Sequence, residues 1–192
     1  MNLKELVLKN RSYRRFDETK KISMKQLEDW TDLGRLSPCG MNRQGLKFAL
    51  ISNEKKNLEV FNTLVWAGYL SDWDGPTEGE RPTGYIIVLR DARIAPNSLG
   101  DEGYAVQSIL LGAVEAGYGG CTLGAIDRLS LVKVLGLPDY LEIVWVLALG
   151  VPNEEIEIVS VKEDIKYYRD AQGKHYVPKR SLEDVISIRC DE

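Results

Sequence analysis

Residues 99 to 116 set Tyr104, Ala105, Val106, Ile109, Leu110, Leu111, Ala113 and Val114 around most of the circumference of one helix. A helix without a polar face has to be covered on nearly every side, in a core or at an interface. That requirement calls for other elements packed in layers around it. Asn97 or Ser98 opens this helix, and Gly117, Gly119 and Gly120 close it. With 192 residues the chain is long enough to build such a core without disulfides or metal, and we expect a single domain over 1–192.

The remaining elements follow from local signals. Residues 3 to 9 form a short amphipathic helix with Leu3, Leu6 and Val7 on one face. Ser23 followed by Gln26 reads as a capping box, and Met24, Leu27, Trp30, Leu33 and Leu36 continue the helix behind it until Ser37-Pro38. Residues 46 to 52 predict a strand, and Asn53 caps a helix through about Val65. Residues 68 to 83 are a loop, Tyr85 to Leu89 a short buried strand, and Ser130 to Leu135 a short helix. Leu141 to Leu149 is the strongest strand and ends at Gly150-Val151-Pro152. Residues 166 to 178 predict a hairpin or extended arm around Ala171-Gln172-Gly173, and Ser181 caps a last short helix. Helices mixed with a few non-consecutive strands imply an α+β layer fold rather than a doubly wound sheet.

Several function classes are disfavoured. The net charge of -4 and pI near 5.3 argue against a nucleic-acid partner. The longest apolar run, Ile143 to Leu149, is too short to span a bilayer, and no apolar stretch of the signal-peptide kind opens the chain, so we expect a soluble cytoplasmic protein with no membrane partner. Cys39, Cys121 and Cys190 are far apart and form no C-x-x-C pair; reduced thiols fit best. One histidine, His175, excludes a histidine-rich metal site, and no metal is expected. A Ser-His-Asp triad would need His175 on its polar stretch, and nothing else supports one.

Three segments could carry chemistry. Arg11-Ser12-Tyr13-Arg14-Arg15 holds three guanidinium groups and a serine hydroxyl, and guanidinium forks match phosphate oxygens; the same cations would also complement the C-terminal end of the preceding helix. Ser37-Pro38-Cys39-Gly40-Met41-Asn42-Arg43-Gln44 combines small residues, which admit a ligand close to the backbone, with carboxamides that suit the edge of a flavin or base; taken alone it reads better as a polar connection between helix and strand. Residues 117 to 125 are glycine-rich but follow a helix, so a dinucleotide fingerprint fails on context, and no P-loop pattern occurs.

Taken in order, Asn10-Arg11-Ser12-Tyr13-Arg14-Arg15-Phe16, SPCGMNRQ, the apolar helix, GGCTLGAID, the strand ending LALGVP and Val177-Pro178-Lys179-Arg180-Ser181-Leu182 resemble the nitroreductase family over nearly the whole chain. The first two motifs are the specific ones. The resemblance implies a three-layer α-β-α fold with a mostly antiparallel central sheet and FMN at a homodimer interface. It implies that Arg11, Ser12 and Arg14 line the phosphate and pyrimidine side of the flavin. Pro38, Cys39, Gly40 and Asn42, with Gln44, would reach it from the partner subunit. Thr122, Leu123 and Gly124 would pass near its reactive edge, and Lys179 or Arg180 would add charge at the phosphate. No side chain need act as a catalytic acid or base. The helix at 99 to 116 would form the dimer core. The implied activity is a ping-pong oxidoreductase, with NADH or NADPH reducing the flavin and the flavin reducing a nitroaromatic, quinone-like or other small acceptor. The alternatives are a dehalogenase, dehydrogenase or flavin-fragmenting enzyme of the same superfamily, or a flavin-binding redox sensor. Asn10 stands where many relatives carry arginine, Cys39 where serine is common, and Gly45-Leu46 where proline-tryptophan is frequent. Residues 68 to 83 are a candidate lid, and Trp66, Tyr69, Trp73 and Arg81 are candidate substrate contacts; ordinary loop packing accounts for these aromatics equally well.

Overall fold

The computed structural model describes residues 1–97 and 99–191. Leu46–Ile51 (β1), Gly84–Asp91 (β2), Gly119–Leu123 (β3) and Leu141–Gly150 (β4) form an antiparallel sheet in the order β1-β2-β4-β3. Side chains alternate between the faces of a strand, and the sheet uses both faces. On one side Ile86, Val88, Leu147 and Leu149 pack with Leu27 and Trp30 of Met24–Leu36 (α2) and with Val106, Ile109 and Ala113 of Asp101–Glu115 (α4). On the other, Tyr85, Ile87, Leu89, Val146 and Ala148 pack with Val60 of Glu54–Phe61 (α3) and Leu131 of Arg128–Leu135 (α5). The result is a helix-sheet-helix sandwich. Its central strands are covered on both faces, which explains why β2 and β4 read as continuous apolar runs. Each such fully buried aliphatic side chain contributes ~1.5–3 kcal/mol.

A second, three-stranded sheet completes the molecule. Ile156–Ser160 (β5) pairs in parallel with His175–Lys179 (β7), and Tyr168–Arg169 (β6) pairs antiparallel with β7. The chain begins with Leu3–Lys9 (α1) and carries Leu182–Val185 (α6) near its end. Among the described residues no helix is long and apolar enough to cross a membrane.

The capping boxes form as their spacing requires: Ser23 accepts from the Gln26 N–H, and Ser181 from the Asp184 N–H. Other expectations are corrected. The helix after Asn53 ends at Phe61, because Thr63 bonds back to the Val60 carbonyl at 2.7 Å and Leu64 is drawn into a bridge with Ile126. The long helix starts at Asp101. Gly100 precedes it in the left-handed region (φ 86°), which sets the boundary there instead of at Leu99. Asn97 therefore does not cap it, and Ser98 lies outside the described residues. As its lack of a polar face requires, the helix buries Ala105, Val106, Ile109, Leu110, Ala113 and Val114. Gly119 and Gly120, expected only to close the long helix, open the strand Gly119–Leu123, and β5 was not anticipated.

Candidate functional site

The basic segment after α1 is laid along the end of the central sheet. Tyr13 donates its N–H to the Gly120 carbonyl at 3.1 Å, and Phe16 bridges to Pro152. Glycines make this approach possible: a Cβ at Gly119 would sit 2.6 Å from the Tyr13 ring, and one at Gly150 2.7 Å from the Phe16 ring. Arg11 and Arg14 are thereby held at the rim of a cavity of about 460 Å³. Its wall includes Asn10, Arg11, Ser12 and Arg14, then Gly103, Val106, Gln107 and Leu110 of α4, Gly120 and Thr122 of β3, and Trp145 of β4. Tyr167 and alternate residues of β7, namely His175, Val177 and Lys179, complete it. The volume falls within the range of ligand pockets.

The lining carries three cationic side chains, Arg11, Arg14 and Lys179, and no carboxylate. Burial pushes the Arg11 pKa down, opposed by nearby Tyr13, and one of its terminal nitrogens is held by the Val7 carbonyl at 2.8 Å. Arg14 is 8% exposed and lies 4.8 Å over the Tyr167 ring. The Nε atoms of Arg11 and Arg14 and both ring nitrogens of His175 are buried without a hydrogen-bond partner among the described residues. Unpaired buried polar atoms are rare in native proteins and call for an explanation; these four line the basic cavity, while Asn57 Oδ1, Arg81 Nε and Tyr85 Oη are unpaired beside a separate one.

Glu154 lies behind the wall. Its carboxylate accepts the backbone N–H groups of Arg14 and Arg15 and an Arg169 nitrogen at 3.0 Å, and stands 3.9 Å from Nδ1 of His175. This one buried acid ties the basic segment to the second sheet. Burial drives the His175 pKa down to about 4, against the opposing pull of Glu154.

The structure gathers Arg11, Ser12, Arg14, Thr122 and Lys179 at the cavity. Arg180 is exposed, Leu123 points into the core with 6% exposure, and Gly124 is exposed; none of the three lines it. Pro38, Cys39 and Gln44 line a different cavity of about 70 Å³, so within one chain this loop does not meet the basic cavity. The loop is strained: Met41, Asn42 and Gln44 all have φ above +50°, a region that costs about 1–2 kcal/mol for Met41 and Gln44 and less for asparagine. Gly40 is fixed by donating its N–H to the buried Asp101 carboxylate at 2.7 Å.

The expected substrate contacts are redistributed. Trp66 is a core residue, 5% exposed and packed on Gly75 and Phe61. Arg81 lines a separate cavity with Phe61 and Tyr85. Tyr69 and Trp73 do not line the basic cavity but brace it from behind: Tyr69 packs on Tyr167, and Trp73 lies under Arg15 and Arg169. The sequence reading missed Gln107, Trp145, Tyr167, His175 and Val177. Gln107 had a signal, as an amide set among the apolar residues Ala105, Val106, Ile109 and Leu110. His175 and Val177 shared a period-two phase with Lys179. Trp145 looked like core, and Tyr167 carried no signal.

The sequence matches the profile of the Nitroreductase family over residues 7–151. No curated protein matches it. The fold is similar to a nitroreductase family protein from Streptococcus pneumoniae (TM-score 0.68, 16% identity, covering 98% of this chain and 100% of that chain). It is similar to one from Clostridium novyi (TM-score 0.65, 23% identity, 79% and 87% covered) and to an FMN-dependent nitroreductase from Clostridium difficile (TM-score 0.61, 16% identity, 78% and 87% covered). At these identities the structural likeness speaks to the fold.

Proposed function

The chain belongs to the nitroreductase family, and on that premise we propose that it is an FMN-dependent oxidoreductase of the cytoplasm. It would draw reducing equivalents from NADH or NADPH and pass them to a nitroaromatic, quinone-like or other small acceptor. The observation that carries this reading is the cavity with three cations and no carboxylate in a chain of net charge -4. Such a lining selects an anion, and the unpaired nitrogens of Arg11, Arg14 and His175 supply hydrogen-bonding capacity for a polar ring and a phosphate. Bound there, FMN would supply hydride-transfer chemistry. Arg11 and Lys179 would hold the phosphate, with Ser12 beside them. Arg14 would place a permanent charge against the pyrimidine side of the ring and favour negative charge there. Val106, Leu110, Trp145 and Val177 would exclude water from its apolar portion.

We propose further that the working unit is a homodimer. Leu3, Val7, Leu8, Leu33, Leu36 and Tyr104 are 40–69% exposed on α1, α2 and α4, an apolar surface of the kind that marks an interface. A second copy there would cover it and bring the strained Pro38–Asn42 loop toward the neighbouring cavity.

The test is the absorbance spectrum of purified protein with FMN, before and after anaerobic NADH or NADPH. Flavin bands that bleach are expected; a protein that takes up no FMN overturns the reading. Arg14→Ala should weaken FMN binding by about 10–100-fold, the worth of a charged hydrogen bond. Unchanged flavin affinity in the folded variant would remove Arg14 from the site.

A further inference from the structure

His175 is fully buried, yet it lines the large cavity and neither ring nitrogen has a partner among the described residues. An unpaired buried polar atom costs about 1–3 kcal/mol, and among the described residues His175 is the one side chain of this cavity with two of them on one ring. Its surroundings set its form. Nδ1 faces the Glu154 carboxylate at 3.9 Å, and the Tyr167 ring lies 5.2 Å away, tilted by 32°. Glu154 already accepts from Arg169 and from two backbone N–H groups, which keeps its charge in place beside the ring. The other charges around the ring, Arg14 from the N-terminal segment and Arg169 from β6, are cationic and oppose a second proton. The neutral imidazole with its proton on Nδ1, toward the acid, is the form this arrangement selects. Nε2 then carries a bare lone pair, in a cavity wall that Arg14 shares.

Resting on the flavin reading above, we propose that His175 Nε2 accepts the N3–H of the bound flavin while Arg14 donates to the adjoining carbonyl, so that the pair reads the imide edge of the ring. The chemistry is selective. The edge of an oxidised isoalloxazine offers acceptors at every polar position except N3, its one N–H donor. An acceptor in the wall beside a guanidinium donor matches an alternating N–H and C=O edge, and mismatches a ring that presents acceptors alone. Burial keeps the histidine uncharged at neutral pH, which preserves the lone pair. Lys179, two alternations along β7, is separated from His175 by about 13 Å at ordinary strand rise, which leaves room for the phosphate at the far end of the same strand.

The chain has one histidine, so protein grown on isotope-labelled histidine gives a single imidazole by nitrogen NMR. Without FMN, Nδ1 is expected to be protonated and Nε2 bare. FMN should move the Nε2 resonance in the direction of an accepted hydrogen bond, and flavin labelled at N3 should show coupling to it. N3-methyl-FMN, which lacks the donor, should show no such coupling and bind more weakly. In variants that fold, His175→Leu should weaken FMN binding about tenfold, and His175→Gln, whose amide oxygen also accepts, should recover most of it. A proton on Nε2, or FMN bound by fluorescence with Nε2 unmoved, overturns the assignment while leaving the flavoprotein reading intact. A protein that takes up no FMN overturns both.

Discussion

Glu154 is the residue on which the cavity wall depends. Its side chain is 2% exposed and gathers Arg169 and two backbone N–H groups from the basic segment. Removing one member of a buried ion pair strands the other, at about 3–5 kcal/mol. Glu154→Ala should therefore destabilise the fold by that amount in urea unfolding, and Glu154→Gln by less, since its amide oxygen still accepts. A loss below 1 kcal/mol for the alanine variant would mean that the pairing is not the anchor. His175 makes a second, pH-dependent contribution. The unfolded imidazole titrates near 6.5 and the folded one near 4. The folded state thus binds fewer protons between those values. The contribution is fully present above about pH 6.5 and is lost as pH falls through the folded pKa, at up to about 3 kcal/mol in total. Unfolding free energies measured from pH 7 to pH 4 should decline in the wild type, and His175→Gln should flatten that decline. Equal slopes in the two proteins would contradict the buried neutral histidine.

Among the elements, what the sequence disclosed and what it hid divide along the range of the interactions. Caps are local: Ser23 needs Gln26 three residues on, and the pattern is complete within one turn. Strand β3 was hidden because Gly119 and Gly120 look like loop residues. Their role is long-range, since they leave room for Tyr13 and for the Ala148 carbonyl and Leu149. Strand β5 was hidden because its partner β7 lies across a parallel connection, and five residues of alternation carry little weight alone. The same division holds at the site. The arginines and Ser12 were legible as a dense local cluster, whereas Tyr167 and His175 acquire their place only when the second sheet docks on the basic segment through Glu154. Gly150 tests this dependence. An added methyl there would meet three atoms of Phe16 within 2.8 Å, and Phe16 anchors the segment bearing Arg14. Gly150→Ala should cost about 1–3 kcal/mol by overpacking and weaken FMN binding as well. Lost stability with undiminished flavin affinity would show that the segment's position does not depend on this contact.

For the whole molecule, the proposed second copy follows from surface that a lone chain leaves uncovered. Helix α1 has no buried residue, although it presents Leu3, Val7 and Leu8. Leu6, Leu33, Leu36, Pro38 and Leu111 line one continuous depression between α1, α2 and α4. The strained turn at Met41 and Asn42 follows Pro38 of this depression by three residues in the chain, with Met41 81% exposed. A chain that holds a costly turn and exposes its methionine gains most if another surface receives them. Leu36, 62% exposed at the end of α2 and two residues from Pro38, is the position to perturb. Leu36→Glu places a charge where the proposed interface is apolar, yet leaves the core of the single chain untouched. Sedimentation should show a wild-type dimer and a monomeric variant, and the variant's melting temperature should lose its dependence on concentration. Flavin affinity should fall together with dimerisation, because the Pro38–Asn42 loop is proposed to act on the neighbour's cavity. A wild type that sediments as a monomer at micromolar concentration sinks the dimer. A monomeric variant that binds FMN as tightly as the wild type keeps the dimer but confines the flavin site to the fifteen residues of one chain's own cavity.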